Sequence, residues 1–154
     1  MAMRTIRTRV LLVAAATAGL SPFVFMNAGF SHGDVQPQAV DTGGLTPLGD
    51  EILLENPYRL EGGEQYALAQ EIGSSGYNSN CARCHGLQAI SGGIAPDLRM
   101  LEDGEFGDEW FMERVQNGYT QNGAYKMPAF DEILSQEAMW AIRSYTETRP
   151  QDDG

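Results

Sequence analysis

The sequence predicts a small all-α fold of three to five short helices joined by long loops. Three observations lead there. No stretch keeps the two-residue alternation of a β-strand for long, whereas several repeat apolar residues at helical spacing. The length, 154 residues, suits one modest domain with a single core. Eighteen glycines and seven prolines, set against sparse Leu, Ile, Val and Phe, imply abundant loop and a small core.

Residues 1–31 read as a secretory signal. Arg4, Arg7 and Arg9 form a positive start, and an apolar run from Val10 to Leu20 extends with interruptions to Met26. Gly29-Phe30-Ser31 offers a small-x-small cleavage site before His32; Ala16-Thr17-Ala18 offers another but leaves a short apolar run. The alternative is a membrane anchor over Val10–Phe30, which Pro22, Asn27, Gly29 and Ser31 weaken as a span. The expectation is therefore a periplasmic protein with no stable membrane insertion after cleavage. The formal charge is −11, and the leader contains three of the cations and no acidic residue, so the mature chain is more negative still. Such a chain does not seek nucleic acid or anionic lipid electrostatically. It suits a partner with a basic patch, although acidity also serves simply to keep an exported protein soluble.

Residues 32–61 show no sustained period and carry Pro37, Gly43, Gly44, Pro47, Gly49 and Pro57, which predicts an extended arm. Within it, Asp50–Glu55 has the composition of one helical turn ending before Pro57. The main domain is expected at 62–150, followed by a short tail, 151–154. Its first helix begins near Gly62 or Gly63 and carries Tyr66, Ala69, Ile72 and Gly73 on one stripe, with Glu64 suiting the positive end of its dipole. Gly73 and Gly76 would break this helix or let another approach closely. Asp108 is the expected N-cap of a helix through Trp110, Phe111, Val115 and Gln116 that stops at Gly118. Tyr119–Phe130 reads as a loop. Ser135 caps a last helix, Gln136–Thr148, whose Ala138, Ala141, Ile142 and Tyr145 form a face able to cross the small-residue side of the first helix.

Between these helices lies Cys81-Ala82-Arg83-Cys84-His85, which holds both cysteines of the chain and one of its two histidines. Cys-x-x-Cys-His is the haem attachment signature. One helical turn sets two sulfurs along one edge of a flat macrocycle, and the next residue reaches over its face to the iron. Two other chemistries use such cysteines. A zinc site wants four N or S ligands, and only distant His32 is left to complete one. A thioredoxin-like dithiol wants a βαβ scaffold, and the strand signals are missing. Haem c on Cys81 and Cys84, with His85 as one axial ligand, is the expected reading.

For the second axial ligand, Met100, Met112, Met127 and Met139 follow the motif. Met112 and Met139 fall inside helical patterns, where a methionine usually fills the core. Met100, close after the glycine-rich loop Ser91–Leu98, is the serious rival. Met127 precedes Pro128, whose fixed φ stiffens an irregular segment, and it is the expected ligand.

From Gly63 to Pro150 the order of pieces resembles a class I cytochrome c: a helix, Cys-Ala-Arg-Cys-His-Gly, a glycine-rich loop with Pro96, Met127-Pro128 with Phe130, and a final helix with Ile142 and Tyr145. The resemblance implies three to five helices wrapped around one covalently bound haem, with His85 and Met127 as metal ligands. It also implies that the Pro96 carbonyl accepts a hydrogen bond from the ligand imidazole, and that Leu98 lines the pocket. His32-Gly33-Asp34-Val35, Asn56-Pro57-Tyr58-Arg59 and Gly76–Asn80 resemble, more narrowly, the periplasmic cytochromes that serve quinoprotein alcohol dehydrogenases. That likeness implies a PQQ-dependent alcohol dehydrogenase as electron donor, and an oxidase or another cytochrome as acceptor.

The expected function is one-electron transport, not enzymatic catalysis, with no catalytic residue. Arg83 and Lys126 flank haem-holding residues as a candidate positive patch, or as plain solvated charges. Two rival readings are a peroxidase-type haem enzyme with an open sixth position and a haem subunit permanently bound to a dehydrogenase.

Overall fold

The computed structural model describes residues 36–151; the leader, His32 and the last three residues lie outside it. Five helices dominate: α1 (Pro57–Glu61), α2 (Gly63–Asn80), α3 (Ala82–His85), α4 (Glu105–Asn117) and α5 (Gln136–Thr146). Two single 3-10 turns, Leu87–Ala89 and Leu98–Met100, interrupt the loop between α3 and α4. The fold is mostly helical, as the sequence predicts.

The frame is the crossing of α2 and α5. Neither Gly73 nor Gly76 breaks α2, which runs through both to Asn80. A methyl group on Gly73 would overlap the Ala141 carbonyl, so the absent Cβ is what lets α5 lie against α2. Ala138, Ala141, Ile142 and Tyr145 all face this crossing or the core around it and are buried. Ser135 caps α5 by accepting from the Ala138 amide, and the helix ends at Thr146, two residues before the expected end.

Three expectations need correction. Asp50–Glu55 forms no helix; the short helix instead begins at Pro57, where the proline suits a first turn and Asn56 accepts from the amides of Tyr58 and Arg59. Helix α4 begins at Glu105 with Gly104 as cap, not with Asp108. Asp108 sits inside the first turn, fully buried, because its carboxylate has stronger partners than a cap would offer: Arg59, the Nε of Arg143 at 2.8 Å and the Asn56 amide at 2.9 Å. Lastly, Tyr119–Phe130 is not all loop. Strands β1 (Tyr119–Gln121) and β2 (Ala124–Met127) pair antiparallel across Asn122-Gly123. Their φ values of 52° and 74° belong to a tight two-residue hairpin turn, and Asn-Gly is its usual sequence.

The arm is extended up to Asn56, and side-chain amides hold its backbone. Asn80 accepts from the Gln38 amide at 2.7 Å and donates to the Gln38 carbonyl. Gln65 pairs in the same way with Thr46 N and Gly44 O, and Gln136 accepts from Leu53 N while donating to the carbonyls of Gly49 and Glu51. Among the described residues, no helix is long and apolar enough to cross a membrane.

Candidate functional site

Helix α2 delivers the cysteine motif. Its last amide bond runs from Cys81 N to Tyr77 O at 2.8 Å, and α3 then makes one tight turn, with His85 N bonded to Cys81 O at 2.9 Å. Cys81 and Cys84 therefore start successive corners of one helical turn, and no disulfide joins them. Burial, with Cys84 adding to it, pushes the Cys81 thiol up to about 12.

His85 is fixed by the loop that follows. Its Nδ1 lies 2.8 Å from the Pro96 carbonyl and donates to it, which leaves Nε2 as the nitrogen able to bind iron. Burial lowers the imidazole pKa, partly opposed by the Pro96 bond and by the nearby Asp97 charge. The loop that carries Pro96 is itself pinned. The Ser91 hydroxyl donates to Ala95 O at 2.5 Å, and Asp97 accepts from Ser91 N and forms an ion pair with Arg99 at 2.8 Å. That pairing holds Asp97 down to about 2.

Met127 closes β2, paired with Tyr119, and is half-buried. The 127–130 segment is set against the end of α4. Phe130 N donates to Val115 O at 2.9 Å, and Gly118 has no Cβ to push away the backbone of Met127, Pro128 and Ala129. Of the other methionines, Met112 and Met139 are core residues at 3% exposure, whereas Met100 is 56% exposed on a 3-10 turn.

A covalently held haem would ask for two thiols along one edge, a neutral imidazole with its outer nitrogen free, and an apolar wall. The first two are present as described. For the third, Leu98 is part of the apolar core on which Cys81 and Met127 also pack. Leu87, Ile90 and Ile94, in the same loop, are exposed apolar side chains outside that core. The residues fit the group. Zinc is poorly served: among the described residues, no cluster of three His, Cys, Asp or Glu side chains is placed to hold a metal ion.

Hydrogen bonds join Cys81, Cys84, His85 and Pro96 into one local unit, and Leu98 and Met127 join it through the shared core. Arg83 and Lys126 are both exposed, and among the described residues neither makes an ion pair. Sequence reasoning missed Tyr77 as a site residue. Its hydroxyl donates to Gly86 O at 2.8 Å, and its position one helical turn before Cys81 was the available signal.

The family described as cytochrome C oxidase, cbb3-type, subunit III matches residues 69–145, half of the chain. A protein named cytochrome c550 from Pseudomonas aeruginosa is 56% identical over 145 residues, covering 92% of this chain and 95% of that one. Quinohemoprotein alcohol dehydrogenase ADH IIB from Pseudomonas putida is 35% identical over 83 residues, 54% of this chain but only 11% of the dehydrogenase. The dehydrogenase subunit of alcohol dehydrogenase (quinone) from Gluconobacter oxydans is 38% identical over 80 residues, 52% of this chain and 10% of that protein. No solved structure matches the chain.

Proposed function

The chain belongs to the cytochrome c family and is an electron carrier rather than an enzyme; from that premise we propose that it works in the periplasm, accepting single electrons from a quinoprotein alcohol dehydrogenase and passing them toward a terminal oxidase. Haem c, when bound, supplies the one-electron Fe(II)/Fe(III) couple. The chain's own residues do the rest. Cys81 and Cys84 hold the group by thioethers, which prevents its loss outside the cytoplasm. His85 and Met127 would ligate the iron, and a thioether ligand beside apolar packing would favour the ferrous state. With both as ligands, the site would leave neither oxygen nor a substrate a place to bind. Leu98 and its neighbours exclude water.

One observation carries the ligand assignment: the His85 Nδ1 to Pro96 O bond, which leaves Nε2 as the nitrogen able to bind iron. Met127 follows because its segment is tied to α4 and rigidified by Pro128, whereas Met112 and Met139 are committed to the core. Replacing Met127 with Ala should abolish the far-red sulfur-to-iron absorption band. It should also lower the potential by on the order of 0.1 V, a fraction of the roughly 0.8 V that axial ligands span. An unchanged low-spin spectrum would mean that another residue ligates.

The donor assignment draws on the dehydrogenase relatives, which carry a segment like this chain within a much longer protein. The surface around the motif suits brief docking. Residues 81–96 contain Arg83 and no acidic residue, in a chain with 21 acidic residues, and Leu87, Ile90 and Ile94 stand exposed there. A small apolar contact of roughly 1,200 Å² or less releases its partner quickly, as a carrier must. Mixing the oxidised protein with a purified PQQ-dependent alcohol dehydrogenase and ethanol should reduce it within a stopped-flow trace; a rate no faster than without enzyme would refute the donor. We place the leader at 1–31, the arm at 32–61, the haem domain at 62–150 and the tail at 151–154, and N-terminal sequencing of exported protein should begin at His32.

A further inference from the structure

The turn after His85 is held in a conformation that its residues disfavour. Gln88 and Ala89 have φ of 56° and 65°, in the left-handed region that non-glycine residues seldom occupy. Gly86 has φ 83°, and a methyl group there would overlap the Ile90 carbonyl. Strain of this kind persists only where the surroundings over-determine it. Here two backbone bonds, Gly86 N to Ala82 O and Ile90 N to Leu87 O, are joined by one side chain. Tyr77 is 0% exposed, and its hydroxyl donates to Gly86 O at 2.8 Å. Its ring is fixed in turn by Tyr145, 5.3 Å away between centroids. The Tyr77 carbonyl meanwhile receives the Cys81 amide. A single residue thus grips both ends of the cysteine motif, by main chain before Cys81 and by hydroxyl after His85.

We propose that Tyr77 is a positioning residue for His85: by clamping the strained turn Gly86–Ala89 it sets the angle at which the imidazole stands over the haem. The proposal rests on His85 as an axial ligand. The ring is held at two points, Nδ1 by the Pro96 carbonyl and the backbone on its C-terminal side by Tyr77. Without the hydroxyl, the Gly86 carbonyl loses its buried partner, and the turn is free to relax toward right-handed values. The ring then pivots about its remaining anchor at Pro96.

Tyr77→Phe removes the hydroxyl and keeps the packing. In the haem-loaded protein, amide hydrogen exchange at 86–90 should rise roughly tenfold, as for the loss of one hydrogen bond, with α5 unchanged. The hyperfine-shifted haem methyl resonances of the ferric protein report the plane of the axial imidazole, and their pattern should change. Adding Gln88→Gly relieves the strain at its source and should return both readouts toward wild type. If Tyr77→Phe alone yields no haem-loaded protein, recovery in the double variant supports the clamp, and failure of the double variant overturns it, because strain in the turn is then not what the hydroxyl controls. A methyl pattern superimposable on wild type overturns the proposal while leaving His85 as ligand. A wild-type spectrum lacking imidazole–thioether ligation overturns both.

Discussion

The crossing of α2 with α5 and the loop from Cys81 to Leu98 adjoin in the chain, yet opposite means hold them. At the crossing, Ala138 and Ala141 are 0% exposed and Ile142 is 1% exposed. In the loop, Leu87 and Ile94 are 73% and 82% exposed, and single bonds pin the backbone: Tyr77 to Gly86, His85 to Pro96, Ser91 to Ala95. Burying one large apolar side chain stabilises by about 1.5–3 kcal/mol, whereas an average hydrogen bond adds about 1 kcal/mol net. The crossing can stand on its own packing. The loop lacks that packing and leaves Leu87 and Ile94 uncovered.

A pair of glycine substitutions tests this contrast most severely. Gly73→Ala puts a methyl group into the Ala141 backbone, which cannot move aside as a side-chain tip would, so α5 must lift away from α2. The expected loss is about 3 kcal/mol or more by denaturant unfolding. Gly92→Ala in the loop meets nothing within 4 Å and should change stability by no more than about 0.5 kcal/mol. Comparable losses for the two would show that the loop is as tightly packed as the crossing.

A second test uses the one part of the frame that is buried but polar. Asp108 lies between Arg59 and Arg143, and Glu147 lies 2.8 Å from Arg59, so α1, α4 and α5 share one ionic knot. Burial would raise the Asp108 pKa, but the Arg59 and Arg143 hydrogen bonds and the Asn56 amide outweigh it and hold it below the ordinary 3.8. The sign follows from that lowered value. The stability contributed is complete above the ordinary carboxylate pKa and is lost as pH falls through the lower folded-state value. Asp108→Asn should cost about 3 kcal/mol at neutral pH, because it leaves buried guanidinium charge without its partner. The gap from wild type should narrow in acid. An equal gap at every pH would mean that packing, not charge, ties the knot.

The frame was largely legible because burial leaves periodic marks. The stripe Tyr66, Ala69, Ile72, Gly73 and the face Ala138, Ala141, Ile142, Tyr145 announced two helices able to cross, and Cys81–His85 announced the cofactor. What escaped depends on partners distant in sequence. Asp108 looked like a cap because its guanidinium partners, Arg59 and Arg143, are 49 and 35 residues away. The hairpin was overlooked although Asn122-Gly123 is a strong local turn signal, because its strands are three and four residues long and exposed, with no apolar alternation to reveal them. The Tyr77 hydroxyl was hidden for another reason: its ring satisfies the apolar pattern of α2, and the pattern says nothing of the oxygen.

The smallest expected effect on stability carries the most about function. Leu87→Ser with Ile94→Ser removes two side chains that the fold itself scarcely buries, so unfolding should move by no more than about 0.5 kcal/mol per site. If the loop is the docking face, the same pair should slow reduction by a quinoprotein alcohol dehydrogenase. The slowing should persist at high salt, because neither substitution changes a charge for salt to screen. A control on α4, Glu105→Gln with Glu109→Gln, alters exposed carboxylates instead, and any effect it has should vanish as salt is raised. Equal salt dependence for both pairs would mean that the partner reads net charge alone. Persistent slowing confined to the loop pair would show that apolar groups left uncovered by the fold serve the partner, at almost no cost to the frame that presents them.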